Sequence, residues 1–212
     1  MKHFKNISTL IFDFGGVLIN LDLNQCILNF KQLGIKNVEQ YLGNFGQSGF
    51  FMQFEKGQIN AETFRNEVRK MTPNTVSDAE IDRAWCSFLV EIPAEKLELL
   101  YELRKKFRVL MLSNTNIIHF PFTETSFLMK EGHTKTDYFD KCYLSYEMKM
   151  VKPDAEIFEK LLETEHVEAN QCLFLDDGLK NIEQAKKLGM QTYLVTDRED
   201  LSFLLENVQG LQ

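Results

Sequence analysis

The chain reads as an α/β protein: a doubly wound, mostly parallel sheet interrupted by one helical insertion. Three observations predict this. Five short apolar runs have the length and composition of buried strands, and helix-length amphipathic patterns separate the later ones. Residues 20–92 show helical periodicity with almost no strand-like run. Strands that alternate with helices need right-handed crossovers, and such crossovers cover a parallel sheet on both faces.

The first strand is Leu10 to Phe14, apolar except for Asp13 and followed by Gly15-Gly16. A carboxylate at the carboxyl end of a buried strand, with glycines behind it, marks a place where backbone can approach a ligand or turn sharply. In the insertion, Phe54-Glu55-Lys56-Gly57 leads into the helical pattern Ala61 to Val68, and Ser77-Asp78-Ala79-Glu80 has the form of a capping box opening a helix toward Trp85 and Leu89. Phe50, Phe51, Phe54 and Trp85 are read as core-packing aromatics. A helix over Glu95 to Lys106 then precedes the strand Val109 to Leu112, and the strand Cys142 to Leu144 precedes a helix over Ala155 to Glu163. The strand Cys172 to Leu175 leads to a helix over Leu179 to Leu188, stopped by Gly189, and Thr192 to Val195 is the last strand.

Composition limits the function. At 212 residues, with 44% apolar and 26% charged residues, the chain fits one globular domain carrying an inserted module. A net charge of −7 and the lack of any Lys/Arg run speak against a nucleic-acid partner. Cys26, Cys86, Cys142 and Cys172 are scattered among apolar neighbours, as reduced core cysteines are, which argues against structural zinc. The opening residues superficially imitate a signal peptide, but Asp13 interrupts the apolar stretch and no small-residue cleavage site follows. No other stretch is long enough to span a bilayer. The expectation is a cytoplasmic protein with no membrane partner, either a monomer or a weak homodimer.

Four polar clusters fall at four strand ends: Asp13 with Gly15 and Gly16, Ser113-Asn114-Thr115-Asn116, Lys152-Pro153, and Asp176-Asp177. Singly, each is an ordinary turn or helix cap. A doubly wound sheet brings all four to one edge, where ligands bind. Asp13 and Asp177 then supply hard oxygen ligands suited to Mg²⁺, while Ser113 and Lys152 are donors suited to phosphoryl oxygens. That set allows Asp13 to attack phosphorus and form an aspartyl-phosphate, which water hydrolyses.

In this order and spacing the residues resemble the haloacid dehalogenase superfamily, across residues 9 to 189. Within it they are most like bacterial phosphatases acting on glucose 1-phosphate and similar sugar phosphates. The likeness is carried by Phe12-Asp13-Phe14-Gly15, Ser113-Asn114-Thr115-Asn116-Ile117-Ile118-His119 and Lys152-Pro153-Asp154-Ala155. The resemblance implies a Rossmann-like catalytic core formed by residues 1–19 and 93–212, with residues 20–92 as a helical cap. It makes Asp13 the nucleophile, with Ser113 and Lys152 as catalytic phosphate binders and Asn114 and His119 as further substrate contacts. The metal ligands would be Asp13, the Gly15 backbone oxygen and Asp177, supported by Asp176. The substrate would be a small phosphorylated metabolite.

One departure matters. Most phosphatases of that family carry a second Asp two residues after the nucleophile, which protonates the leaving oxygen; here that residue is Gly15. General acid–base help is worth roughly 10²–10⁴-fold. The alternatives are therefore a 2-haloacid dehalogenase, which also lacks the second Asp, or a weakly active or inert phosphate-binding relative. Gly15 itself is expected to need a backbone conformation that only glycine adopts easily. His119 is the first candidate for a substitute acid, because histidine titrates near neutral pH. Asp22 and Glu55 rank below it, each read as a cap or a solvated face residue.

Overall fold

Five strands assemble into a single parallel sheet because their residues are apolar on both faces and can be buried only between two layers of helices. The computed structural model describes residues 3–43, 46–129 and 132–210. Its strands are β1 (Phe4–Ile7), β2 (Thr9–Phe12), β3 (Asn20–Leu21), β4 (Leu89–Glu91), β5 (Arg108–Ser113), β6 (Lys141–Leu144), β7 (Cys172–Asp176), β8 (Gln191–Leu194) and β9 (Val208–Gly210). The helices are α1 (Leu23–Gln32), α2 (Gly49–Glu55), α3 (Ala61–Lys70), α4 (Asp78–Cys86), α5 (Ala94–Arg104), α6 (His119–Thr123), α7 (Lys135–Tyr138), α8 (Ser145–Met148), α9 (Ala155–Glu165), α10 (Leu179–Lys187) and α11 (Leu204–Asn207).

The main sheet has the order β6-β5-β2-β7-β8, with every neighbouring pair parallel. Alternate side chains divide between the two faces, as the period of a strand requires. Leu10, Phe12, Val109, Met111, Leu173 and Leu175 pack on one face with Leu99, Leu100 and Leu103 of α5. Ile11, Leu110, Leu112, Cys172 and Phe174 pack on the other with Ile157, Phe158 and Leu161 of α9 and Ile182 and Ala185 of α10. This is the doubly wound α/β sheet expected from the sequence. β2 ends one residue before Asp13, whose N–H donates to the Leu175 carbonyl across the sheet at 2.8 Å.

Between β3 and β4 the chain builds α1 to α4 around an apolar cluster of its own, centred on Phe30, Phe51, Phe54, Phe64 and Trp85. Phe54 stacks on Phe64 with centroids 4.3 Å apart, and Phe51 lies 5.2 Å from Trp85. The aromatics of this interval are thus core residues. The capping box at Ser77 and Glu80 is present at the start of α4. Leaving and re-entering chain pair as the short antiparallel β3 and β4, too brief for periodicity to signal. All four cysteines are free, and among the described residues no helix is long and apolar enough to cross a membrane.

Candidate active site

From β2 the chain passes to β5 and β6 on one side, then returns to lay β7 and β8 on the other, so the connections diverge between β2 and β7. In open α/β sheets the crevice for ligands opens at that point, beyond the carboxyl ends of the strands. Asp13 follows β2, Ser113 closes β5, Lys152 follows the turn beyond β6 and α8, and Asp177 follows β7. These residues line one cavity of about 80 Å³, room for a small anion or a few waters.

Lys152 is its electrostatic hinge. Its ammonium lies 2.7 Å from Asp13 Oδ1 and 2.7 Å from Asp176 Oδ2. Asn114 fixes the lysine's main chain: Lys152 N–H donates to Asn114 Oδ1 and Asn114 Nδ2 donates to Lys152 O, both at 2.9 Å. The Asn114 amide is thus engaged in holding the lysine. Asp13 Oδ1 also accepts from the Phe14 N–H at 2.6 Å. Asp176 is fully buried, and its Oδ1 accepts from Gly178 N–H at 2.7 Å and Asn181 Nδ2 at 2.9 Å. Both Asp176 oxygens are therefore used inside the protein, which leaves Asp13 and Asp177 as the carboxylates freer to face a ligand.

One oxygen from each of Asp13, Asp176 and Asp177 lies within 4.8 Å of the others. Of these three carboxylates only Asp13 and Asp176 pair with the Lys152 ammonium. Burial pushes Asp13 above the ordinary carboxylate range, and the charges of Asp176 and Asp177 add to that against the pull of Lys152. Burial and then Asp176 push Asp177 up to about 6. For Lys152 burial works against the charge, but Asp13 and Asp176 outweigh it and hold the ammonium above its usual value. This crowding of hard oxygen donors fits a small divalent cation, which relieves the repulsion that adds to burial in raising Asp13 and Asp177.

The two glycines after Asp13 differ. Gly16 has φ +72°, and a Cβ there would overlap the Asp177 carboxylate, so Gly16 is what lets β7's end approach the first loop. Gly15 lies outside the left-handed region, and a Cβ on it would meet only the Leu21 side chain, at 3.3 Å. The expectation that Gly15 needs a glycine-only conformation is corrected: that need belongs to Gly16.

His119 lines the cavity wall but is not an available acid. It is buried, stacks on Trp85 with centroids 4.2 Å apart, and its Nε2 lies 3.0 Å from the Trp85 carbonyl oxygen. That contact assigns the proton to Nε2. Burial lowers its pKa to about 4, so the ring is neutral at pH 7. Asp22 caps α1 through the Gln25 N–H. Glu55 is not on a solvated face: it is buried and lines the cavity beside Asp13 and Lys152. The available signal was its spacing from Phe51 and Phe54, which places it on the buried side of α2. Gln47 and Thr123 also line the cavity and carried no comparable signal in the sequence.

A family model described as haloacid dehalogenase-like hydrolase matches residues 7–189. The chain belongs to the haloacid dehalogenase-like hydrolases. Among curated members, a D-ribitol-5-phosphate phosphatase of Bacteroides thetaiotaomicron is 33% identical over 205 residues, covering 95% of this chain and all of that protein. Among solved structures, a haloacid dehalogenase family enzyme of the same organism superposes with a TM-score of 0.92 at 44% identity, over 95% of this chain and all of the other. That enzyme is an aspartate-to-alanine mutant in complex with magnesium and inorganic phosphate. A haloacid dehalogenase-like hydrolase of Porphyromonas gingivalis superposes with a TM-score of 0.87 at 32% identity, over 94% and 98% of the two chains.

Proposed function

We propose that this hydrolase is a Mg²⁺-dependent phosphatase that cleaves a small phosphomonoester, a sugar or polyol phosphate, through an aspartyl-phosphate on Asp13. The observation that carries this reading is the convergence of one oxygen from each of Asp13, Asp176 and Asp177 within 4.8 Å, with Lys152 paired to the first two. The phosphatase among its relatives and the magnesium and phosphate bound by its structural neighbour support it.

In this reading Asp13, Asp177 and the Gly15 backbone oxygen hold the ion. Mg²⁺ when bound offsets the charge of the phosphoryl group and of the carboxylates. Lys152 and the Ser113 hydroxyl bind phosphoryl oxygens, and Lys152 orients Asp13 through its contact with Oδ1. An Asp13 oxygen attacks phosphorus as the bond to the leaving oxygen breaks, and water then attacks the phosphorus of the aspartyl-phosphate to release inorganic phosphate and regenerate the carboxylate. Residues 20–92 act as the cap over the leaving group, and residues 1–19 and 93–212 as the catalytic core. Displacement of halide at carbon would make no use of three crowded carboxylates, and so the dehalogenase alternative is the weaker one.

The test is a screen of sugar and polyol phosphates, beginning with D-ribitol 5-phosphate, in Mg²⁺ and in EDTA, with halide release from 2-haloacids assayed in parallel. Phosphate release that needs Mg²⁺ and disappears in Asp13→Asn is the expected result. An Asp13→Asn variant that hydrolyses 4-nitrophenyl phosphate at the wild-type rate would overturn the mechanism.

A further inference from the structure

Expulsion of an alkoxide needs a proton, and Gly15 has no side chain to give one. Five titratable residues line the cavity among the described residues: Asp13, Glu55, His119, Lys152 and Asp177. Asp13 and Asp177 are taken by attack and by the metal. Lys152 is held between Asp13 and Asp176, and His119 is a neutral ring bonded to the Trp85 carbonyl. Glu55 is left.

Glu55 is placed with care. It is the last residue of α2, whose Phe51 and Phe54 are locked in the aromatic cluster of the helical segment. Ser145 Oγ donates to the Glu55 carbonyl at 2.6 Å and accepts from the Thr115 N–H at 2.9 Å, tying the Glu55 backbone to the loop that follows Ser113. Two residues on, Lys149 Nζ donates to Gly57 O at 2.7 Å, and Lys56 pairs with Asp154 at 3.4 Å. Gly57 adopts φ +63°, and a Cβ there would overlap the Tyr146 carbonyl oxygen, so this close seating of α2 on the sheet side depends on glycine. The Glu55 side chain is buried against the same cavity, and among the described residues no hydrogen bond or ion pair to its carboxyl is found. Burial, and then the Asp13 charge, push its pKa up to about 8.

We propose that Glu55, brought from the helical segment, is the catalytic acid and base that Gly15 cannot be. The assignment rests on the phosphatase reading. As Asp13 bonds to phosphorus and the P–O bond of the ester breaks, the Glu55 proton passes to the leaving oxygen, which departs as an alcohol. The resulting Glu55 carboxylate takes a proton from the water that attacks the aspartyl-phosphate, so inorganic phosphate leaves and the acid is restored.

The full chain is assayed in Mg²⁺ with D-ribitol 5-phosphate, whose leaving group needs a proton, and with 4-nitrophenyl phosphate, whose leaving group does not. In Glu55→Gln, kcat/KM for the polyol ester should fall about 10²–10⁴-fold more than that for the aryl ester. The aryl ester should also show a stoichiometric nitrophenolate burst before a slower steady state, because the aspartyl-phosphate accumulates. Equal losses on the two esters without a burst, in a variant whose melting transition matches the wild type, would overturn the assignment, and so would unchanged kinetics on both. Wild-type enzyme active on the aryl ester but on no sugar or polyol phosphate would also overturn it, since no acid would then be at work. Wild-type enzyme inactive on every phosphate would instead refute the phosphatase reading itself.

Discussion

Replacing Gly16 and Gly15 by alanine, one at a time, separates backbone strain from metal binding at adjacent positions. At Gly16 the backbone sits at φ +72°, where an L-residue loses roughly 1–2 kcal/mol. The added Cβ also falls on the Asp177 carboxylate. That carboxylate is the free end of a side chain and can swing away, so Gly16→Ala should fold, about 1–2 kcal/mol less stable by denaturant titration in EDTA. Its Mg²⁺ affinity, read by calorimetry on the folded protein, should fall by at least the roughly 10–100-fold seen when a ligand's supporting contacts are lost. At Gly15 the backbone is outside the left-handed region and the new Cβ meets only Leu21, at 3.3 Å. Gly15→Ala should therefore change stability by less than about 1 kcal/mol and leave Mg²⁺ affinity within a factor of about three, which is under 1 kcal/mol. If Gly16→Ala loses stability but binds Mg²⁺ like the wild type, Asp177 is not a ligand.

Lys152→Met removes an ammonium that lies 2.7 Å from each of two carboxylates, with its side chain 1% exposed. Leaving buried charge unpaired should destabilise the protein by about 3–5 kcal/mol in EDTA, with partial recovery in Mg²⁺. A loss below about 1 kcal/mol by urea unfolding would refute the pairing. His119 has a folded pKa of about 4 against an ordinary 6.5, so the unfolded chain takes up a proton that the folded protein excludes. Its contribution is complete above pH 6.5 and lost as pH falls toward 4, about 3 kcal/mol across that window. His119→Gln should therefore unfold with a shallower loss of stability between pH 7 and 4.5, and an unchanged slope would place the titrating group elsewhere.

The sheet edge of the site was legible in the sequence because each of its parts carries a local signal. Asp13, Ser113 and Asp176-Asp177 each end or follow an apolar run of strand length, and alternation of strands with helices determines that such ends converge. Lys152 was harder, since its strand β6 is short and Lys152 itself lies beyond α8. Its position is set by the Asn114 amide, a contact between residues 38 apart in the chain. β1 and β9 were missed because they pair the two ends of the chain in runs of three or four residues with exposed positions, which gives no period to detect. The Gly15 and Gly16 pair was legible only as a pair. Which of them must be glycine depends on where Asp177 falls, and that is a tertiary fact.

The helical side of the site was illegible for a different reason. Periodicity tells which face of a helix is buried, but not what buries it. Phe51, Phe54 and Glu55 share one face of α2, and a carboxylate on that face reads as a solvated residue at the rim of an apolar stripe. Only the seating of α2 on Ser145 and Lys149 turns the last position of the stripe toward Asp13. A charged residue on a buried face is costly unless it is paired or neutralised, and among the described residues Glu55 has no hydrogen-bond or ion-pair partner for its carboxyl. A glutamate on the apolar face of an inserted helix, followed two residues later by a glycine, is therefore worth weighing as a proton carrier whenever the strand-end acid is missing. Gly15→Asp in the Glu55→Gln background bears on this directly. Its Cβ needs only the Leu21 methyl group, at 3.3 Å, to give by a few tenths of an ångström, so an acid supplied from the sheet side should restore polyol-phosphate turnover, and restoration without any change in aryl-phosphate kcat/KM would mean that the two positions serve the same proton.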